Sequence, residues 1–384
     1  LVSVAFADQS FVGTASNGSL VLRPADGQQV LIAGADFASL LETVGTLKEQ
    51  VATLSQQLAD QQCKVTADTT TITGLGVGGP KWFGGVLAEN GKIYGIPFSS
   101  SALLIIDPTT NAADPITITE FVDKAGKWVG GVLAGNGMIY GIPYMSTSVL
   151  IIDPTTNTTD TTTIAGLDGR YKWFGGVLAG NGKIYGIPMS AASVLIIDPA
   201  INTADNTTMT GLSGVDKWFG GVLAGNGKIY GIPHNAVSVL IIDPATNTID
   251  TTTITGFSGS AKWHGGVLAG NGKIYGIPYH PSSVLIIDPA TNTASTITIK
   301  GLSGSAKWFG GVLASNGKIY GIPESSPSVL IVDPTTNTTD TTTITGLDGS
   351  GGWGGGVLVG NGKIYGIPAN SASVLIIKRD CEGL

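Results

Sequence analysis

Charge is scarce in this sequence. Lysine, arginine, aspartate and glutamate make up 12% of the 384 residues, about half the ~25% of an ordinary soluble domain. The 20 basic residues are outnumbered by 27 acidic ones, for a net charge of −7. A nucleic-acid partner is excluded on that count, because phosphate binding needs concentrated positive charge. Long hydrophobic runs are missing too: none approaches the ~18 residues of a membrane-spanning helix. Only three histidines (His234, His264 and His280) and two cysteines (Cys63 and Cys381) occur. They show no metal-ligand spacing, and the chain carries no nucleophile-elbow motif. No metal or other cofactor is expected. The chain opens at Leu1 with no methionine and no basic leader, which reads as a mature or truncated product whose signal peptide is gone.

Glycine is plentiful at 57 residues, and apolar residues reach 42% and recur in strict order. Folded repeats fit that order better than disorder does. The seven tryptophans, Trp82, Trp128, Trp173, Trp218, Trp263, Trp308 and Trp353, are spaced by 46 residues once and by 45 thereafter. Each therefore marks one repeat. A repeat holds four strand-like runs, such as WFGGVLA (173–179), KIYGIP (183–188), SVLIID (193–198) and TTTITG (341–346). Asn-Gly separates the first two, at Asn90-Gly91, Asn136-Gly137, Asn181-Gly182 and on to Asn361-Gly362. It predicts a type I′ hairpin with positive φ at both central residues. Asp-Pro closes the third run. Four antiparallel strands every ~45 residues make a propeller blade, and the lack of 3.6-residue periodicity inside a repeat excludes helical solenoids.

The fold class is thus all-β: a seven-bladed β-propeller with an N-terminal β-hairpin and a coiled-coil-like helix. The last repeat stops after its third run, while a spare DTTTITGL stands at 68–75 before the first tryptophan. Residues 68–74 are therefore expected to be the fourth strand of blade seven, closing the ring without an unpaired edge. Cys63 and Cys381 flank the missing loop of that blade. A disulfide between them would replace it, stabilise by roughly 4–5 kcal/mol in the loop-entropy picture, and imply an oxidising compartment.

Residues 1–62 break the repeat. The segment 1–36 carries a hairpin pattern around Ala25-Asp26-Gly27, and 37–62 carries a heptad through Leu40, Val44, Leu47, Val51, Leu54 and Leu58. That seam predicts a self-associating coiled coil; a single amphipathic helix is the alternative. The propeller domain spans 63–384. Asn17, Asn157, Asn206 and Asn337 each open an Asn-x-Ser/Thr glycosylation sequon.

Each repeated residue has a chemical and a packing reading. The tryptophans could be sugar platforms but read as wedges between blades. Gly84-Gly85 and its equivalents read as close strand packing, and Tyr94 and its equivalents as inter-blade contacts. Asp107, Asp153, Asp198, Asp243, Asp288 and Asp333, each on a different blade, read as turn residues rather than calcium ligands. Lys81, Lys127, Lys172, Lys217, Lys262 and Lys307 read as solvated loop ends able to attract an anion. His264, which replaces a phenylalanine found after several of the tryptophans, is the most singular residue. Near-identical blades nevertheless argue against one catalytic pocket.

The run NGKIYGIP…SVLIIDPTTNT…TTTI resembles the YVTN-type propeller repeats of surface-layer proteins over about 68–377. Tyr-Gly-Ile-Pro stands here where that family has Tyr-Val-Thr-Asn. The resemblance implies cell-surface or extracellular placement and no defined activity. The expectation is an extracellular structural or adhesive protein, not an enzyme, self-assembling through its stalk into a homo-oligomer, filament or surface layer. A glycan-binding, lectin-like propeller is the alternative, and a propeller-scaffold enzyme the third.

Overall fold

The computed structural model describes residues 11–14, 20–23, 30–32, 42–51, 63–117, 125–299, 304–349 and 352–381. The chain divides into two compact units, Val65–Asp380 and Leu1–Lys64 with Cys381–Leu384.

The larger unit is a seven-bladed β-propeller. Blade one comprises Trp82–Leu87, Ile93–Pro97, Ala102–Asp107 and Ala112–Thr117, antiparallel in that order. Blades two to six repeat the plan from Trp128, Trp173, Trp218, Trp263 and Trp308. The first strand of every blade lies against that of the next, and Trp353–Leu358 of blade seven returns to Trp82–Leu87.

Blade seven takes its fourth strand from the front of the chain, though not from 68–74. The strand is Cys63–Asp68, beside Leu375–Cys381. From residue 69 the chain bends, because the Asp68 carboxylate accepts hydrogen bonds from the amides of Thr70 (2.7 Å) and Thr71 (3.1 Å) and from both hydroxyls. Aspartate followed by threonines offers the backbone a local partner that competes with the ladder. The same capture recurs at Asp160, Asp205, Asp250 and Asp340. The TTTITG runs are therefore turns that follow the fourth strands.

The Asn-Gly hairpins also differ from expectation. The Ala88 amide donates to the Lys92 carbonyl, enclosing three loop residues, of which only Gly91 takes a positive φ, +77°. This is a three-residue loop closed by a left-handed glycine, and asparagine serves a different purpose in it. Its Nδ2 donates to the Tyr94 hydroxyl (2.9 Å) and to the Pro154 carbonyl of the next blade (2.9 Å). Tyr94 in turn donates to Asn157 Oδ1 at 2.7 Å, and Tyr365 closes the circle by donating to Asn111 at 2.8 Å.

Apolar side chains fill the seven gaps between blades. One such core joins Val86, Tyr94 and Ile96 of blade one to Trp128, Ile139 and Leu150 of blade two. The tryptophans are wedges: all seven are buried, and Trp128 Nε1 donates to the Ser148 carbonyl at 2.8 Å. The Asp-Pro aspartates are turn acceptors, Asp153 taking the Thr155 amide at 2.8 Å.

In the smaller unit Phe11–Thr14, Leu20–Arg23 and Val30–Ile32 form an antiparallel sheet, so the expected hairpin gains a strand. Residues 42–51 are helical, with Val44 half-buried and Leu47 and Val51 exposed. Leu40, Leu54, Leu58 and Asn17 lie outside the described residues.

Two predictions follow from this architecture. A Cβ added to Gly84 (φ +81°) would sit 2.8 Å from the Gly130 Cα, whereas one added to Gly91 (φ +77°) meets open space. Gly91→Ala is expected to lower stability by about 1–2 kcal/mol, the left-handed cost alone; Gly84→Ala, adding a backbone clash, should lower it clearly more in urea unfolding. Equal losses would deny the steric role of the ring position. The second concerns the staple. Cys63 is disulfide-bonded and Cys381 is the one other cysteine, so non-reducing peptide mapping should recover a 63–381 cross-link, and free thiols would refute it.

Candidate functional site

Two positions in each blade face one mouth of the central channel. The first strand kinks where its register to the second slips, between Trp82 and Gly85 in blade one, and a bulge of this kind re-aims the residue inside it. That residue, just after tryptophan, is Phe83, Val129, Phe174, Phe219, His264, Phe309 and Gly354 around the ring. Because Trp82 pairs with Pro97, the residue after proline lies alongside: Phe98, Tyr144, Met189, His234, Tyr279, Glu324 and Ala369. Here the repeat stops repeating. Blades one to three contribute aromatic and apolar side chains, blades four to six add histidine, tyrosine and glutamate beside Phe219 and Phe309, and blade seven contributes small residues.

The rings form one stack. Phe174 lies 4.2 Å from Phe219, Phe219 3.8 Å from His234, and His264 3.9 Å from Tyr279, with planes within 14° of parallel. His234 and His264 are 4.7 Å apart, and Tyr279 stacks on His280 at 4.9 Å. On the far side Phe83 reaches across blade seven to stack on Phe309 at 4.8 Å, through space that any side chain at 354 would take from the Phe83 ring. Between these rings and the axial glycines lies a cavity of about 130 Å³.

Burial sets the electrostatics. His264 is 5% exposed, and neither ring nitrogen has a hydrogen-bond partner. Desolvation, helped by the other two histidines, holds its pKa well below the ordinary value. His234 is 7% exposed; burial lowers it to about 4 against an opposing hydrogen bond to the Trp263 backbone. Glu324 is half-buried with Oε2 lacking a partner, and desolvation raises its carboxyl to about 7. Tyr279 is pushed up to about 12, by burial first and then by the Glu324 charge. His280 is exposed at the edge. The mouth therefore holds two neutral imidazoles, a phenol and a carboxyl that shares its proton near neutrality, a set suited to general acid–base chemistry. No cluster able to hold a metal ion occurs among the described residues.

The lysines before tryptophan are not solvated loop ends. Lys127, Lys172, Lys217, Lys262 and Lys307 are 3–4% exposed. Lys172 Nζ donates to the carbonyls of Ser146 (2.8 Å) and Gly169 (3.0 Å), and Lys217 Nζ to those of Ala191 (2.9 Å) and Gly214 (3.0 Å). Burial lowers both to about 8. They pin one blade to the next and are already committed.

Sequence reasoning singled out His264 and set the three histidines at non-equivalent positions of blades four and five, and it passed over Tyr279 and Glu324. The missed signal was variation at a fixed register: the residue after Ile-Pro differs from blade to blade, whereas the Ile-Tyr-Gly-Ile-Pro before it does not. Two of the sequon asparagines are engaged in contacts between blades. Asn157 and Asn337 offer Oδ1 to Tyr94 and Tyr275, and Asn206 is half-buried.

Comparison with solved structures places the chain among propellers. A streptogramin B lyase superposes with a TM-score of 0.67 at 10% identity, over 82% of this chain and 98% of that one. A catalytically inactive histidine-to-alanine virginiamycin B lyase from Staphylococcus aureus, with quinupristin, gives 0.67 at 9%, over 82% and 99%. Hydrazine synthase from Kuenenia stuttgartiensis gives 0.63 at 14%, over 79% and 97%. The extracellular domain of a one-component system from B. thetaiotaomicron gives 0.60 at 11%, over 96% of this chain but 46% of that one. No family profile and no curated protein sequence matches the chain. At these identities the likeness shows the fold, and no family match supports the surface-layer resemblance. The expectation that the chain is not an enzyme is nevertheless overturned. Catalytic proteins are built on this fold, and the blades are not equivalent where it matters, at the mouth.

The buried imidazoles make stability depend on pH. The unfolded chain protonates His234 near 6.5 and the folded one only near 4, so stability falls as pH drops through that window. Glu324 acts oppositely: its folded carboxyl keeps a proton up to about 7 that the unfolded one loses near 4.5, so its contribution is lost as pH rises. His234→Phe should therefore gain about 2 kcal/mol at pH 5 relative to pH 8, read by urea unfolding at both. An unchanged acid limb would contradict the buried neutral ring.

Proposed function

We propose that the protein acts on a small organic molecule bound at the axial mouth of blades four to six, through proton transfer rather than metal chemistry. The observation that supports this reading most directly is the convergence of the three histidines and Tyr279 in ring contact, with Glu324 near enough to act on Tyr279 and four polar atoms left without partners. Leaving a buried donor or acceptor unsatisfied costs about 1–3 kcal/mol per group, and a ligand that completes them turns that cost into affinity. Glu324, titrating near neutrality, is the group to take and return a proton. Tyr279 and the imidazoles orient a flat substrate by stacking. The inactivity of a histidine-to-alanine lyase on a similar propeller agrees with such a role for an imidazole. A glycan would also use the aromatic wall, and lectin-like binding is the second reading.

The three histidines all lie at this site, so their imidazole NMR signals report on it directly. A panel of small aromatic, peptide and saccharide ligands added to the full chain should include members that shift the His264 and His234 signals. His264→Phe, which restores the residue of the neighbouring blades, should abolish the remaining His234 shift without lowering the melting temperature. A panel that leaves all three imidazoles unmoved would sink the reading, and shifts confined to saccharides would favour the second.

We further propose an extracellular homo-oligomer. The similar extracellular sensor domain, the disulfide at Cys63 and the sequons at Asn157, Asn206 and Asn337 support the placement. Leu47 and Val51, 52% and 61% exposed on the helix 42–51, support self-association along the heptad seam. Sedimentation of the full chain should show an assembly that Leu47→Asp weakens, and a monomer at high concentration would refute it.

A further inference from the structure

The ligand's charge can be read from one coupled departure from the repeat. In blades one to six a lysine precedes the tryptophan, and in blade seven Gly352 stands there instead. The carbonyls that receive the Lys172 ammonium, Ser146 and Gly169, correspond in register to Ser326 and Gly349, and Gly352 brings no ammonium to them. The residue that hands over to this position from the preceding blade is Glu324, whose carbonyl accepts the Gly352 amide, as the His234 carbonyl accepts the Lys262 amide at 3.0 Å. The one blade boundary that lacks the lysine thus carries the one carboxylate at the mouth.

That carboxylate has no cation among the described residues. Lys307, from its own blade, donates to the carbonyls of His280 (2.6 Å) and Gly304 (3.0 Å), and Lys262 donates to Gly259 (2.8 Å). His264 and His234 are held neutral by burial. Tyr279 faces Glu324 closely enough for its phenol to feel the charge, and it donates a ring face on which a cation is favoured. On the other side Gly354 and Ala369 are the mouth residues of blade seven and bring no charged group; the bare Gly352 lies against the Pro323 and Glu324 carbonyls, and the Phe83 ring fills the space beside Gly354.

We propose, resting on the mouth being a ligand site, that its ligand is an organic cation: a primary ammonium paired with the Glu324 carboxylate, on an aromatic or apolar body laid against the Tyr279–His264 stack. The ammonium takes the place of the lysine that blade seven lacks. An anionic ligand would meet a carboxylate with no free positive group beside it among the described residues, and a neutral one would leave the buried oxygen without a countercharge.

The test uses three probes of one shape on the full chain: phenethylamine, 2-phenylethanol and 3-phenylpropionate, titrated at pH 8 by imidazole NMR and calorimetry. The amine should bind at least about tenfold tighter than the other two, a difference that Glu324→Gln reduces to about twofold or less. The wild-type protein gives a check independent of any variant. Phenethylamine stays protonated between pH 6 and 8 while Glu324, titrating near 7, ionises, so its affinity should rise about tenfold across that range. Equal binding of alcohol and amine, tighter binding of the propionate, or a flat pH profile overturns the cation proposal while leaving the mouth as a site. Three probes that leave every imidazole signal unmoved overturn both.

Discussion

Everything in the propeller depends on how closely seven inner strands can approach one axis. Gly84, Gly130, Gly175, Gly220, Gly265, Gly310 and Gly355 meet there, all with φ between +69° and +97°. For most neighbouring pairs a Cβ would fall within 3.5 Å of the next glycine's Cα. A left-handed residue with no side chain is the one solution that lets the strands touch and turn together. The second glycine of each pair meets a different limit. A Cβ on Gly131 would lie 2.6 Å from Ile96 Cδ1 of the preceding blade, so the isoleucine cores can close only over bare backbone.

This constraint is also what creates the site. The kink that brings the glycine to the axis displaces the residue before it out of the ladder and into the mouth. That side chain, and its neighbour after Ile-Pro, then pack against the other mouth residues rather than in the aliphatic cores between blades. Fold and chemistry are thereby written at different positions of the same repeat. Tryptophan, tyrosine, asparagine and the glycine pair are held by contacts that recur at each boundary, whereas the two mouth positions can vary without disturbing them.

Low dielectric at the mouth gives the varied residues their character. The same phenylalanines that seal the axial cavity strip water from His264 and His234 and keep them neutral. Withdrawal of solvent from Glu324 shifts its pKa in the opposite direction, upward, because desolvation favours the neutral form of either group. A carboxyl and imidazoles therefore share one environment with their protons arranged contrary to those in water.

Much of this was legible from residues alone. A tryptophan every 45 residues, four apolar runs between turns, and a split last blade sufficed for seven blades and ring closure, because strand periodicity and turn chemistry are local. The errors were local competitions: Asp68 captures the amides and hydroxyls of Thr70 and Thr71, ending the closing strand at 68, and Asn90 serves the next blade rather than a type I′ turn. The site was not legible. His234, His264 and Glu324 stand 30 and 60 residues apart in sequence, and only strand pairing and closure of the ring bring them together. Burial, which makes their titration unusual, is a property of the packed core around them and has no counterpart in the order of residues.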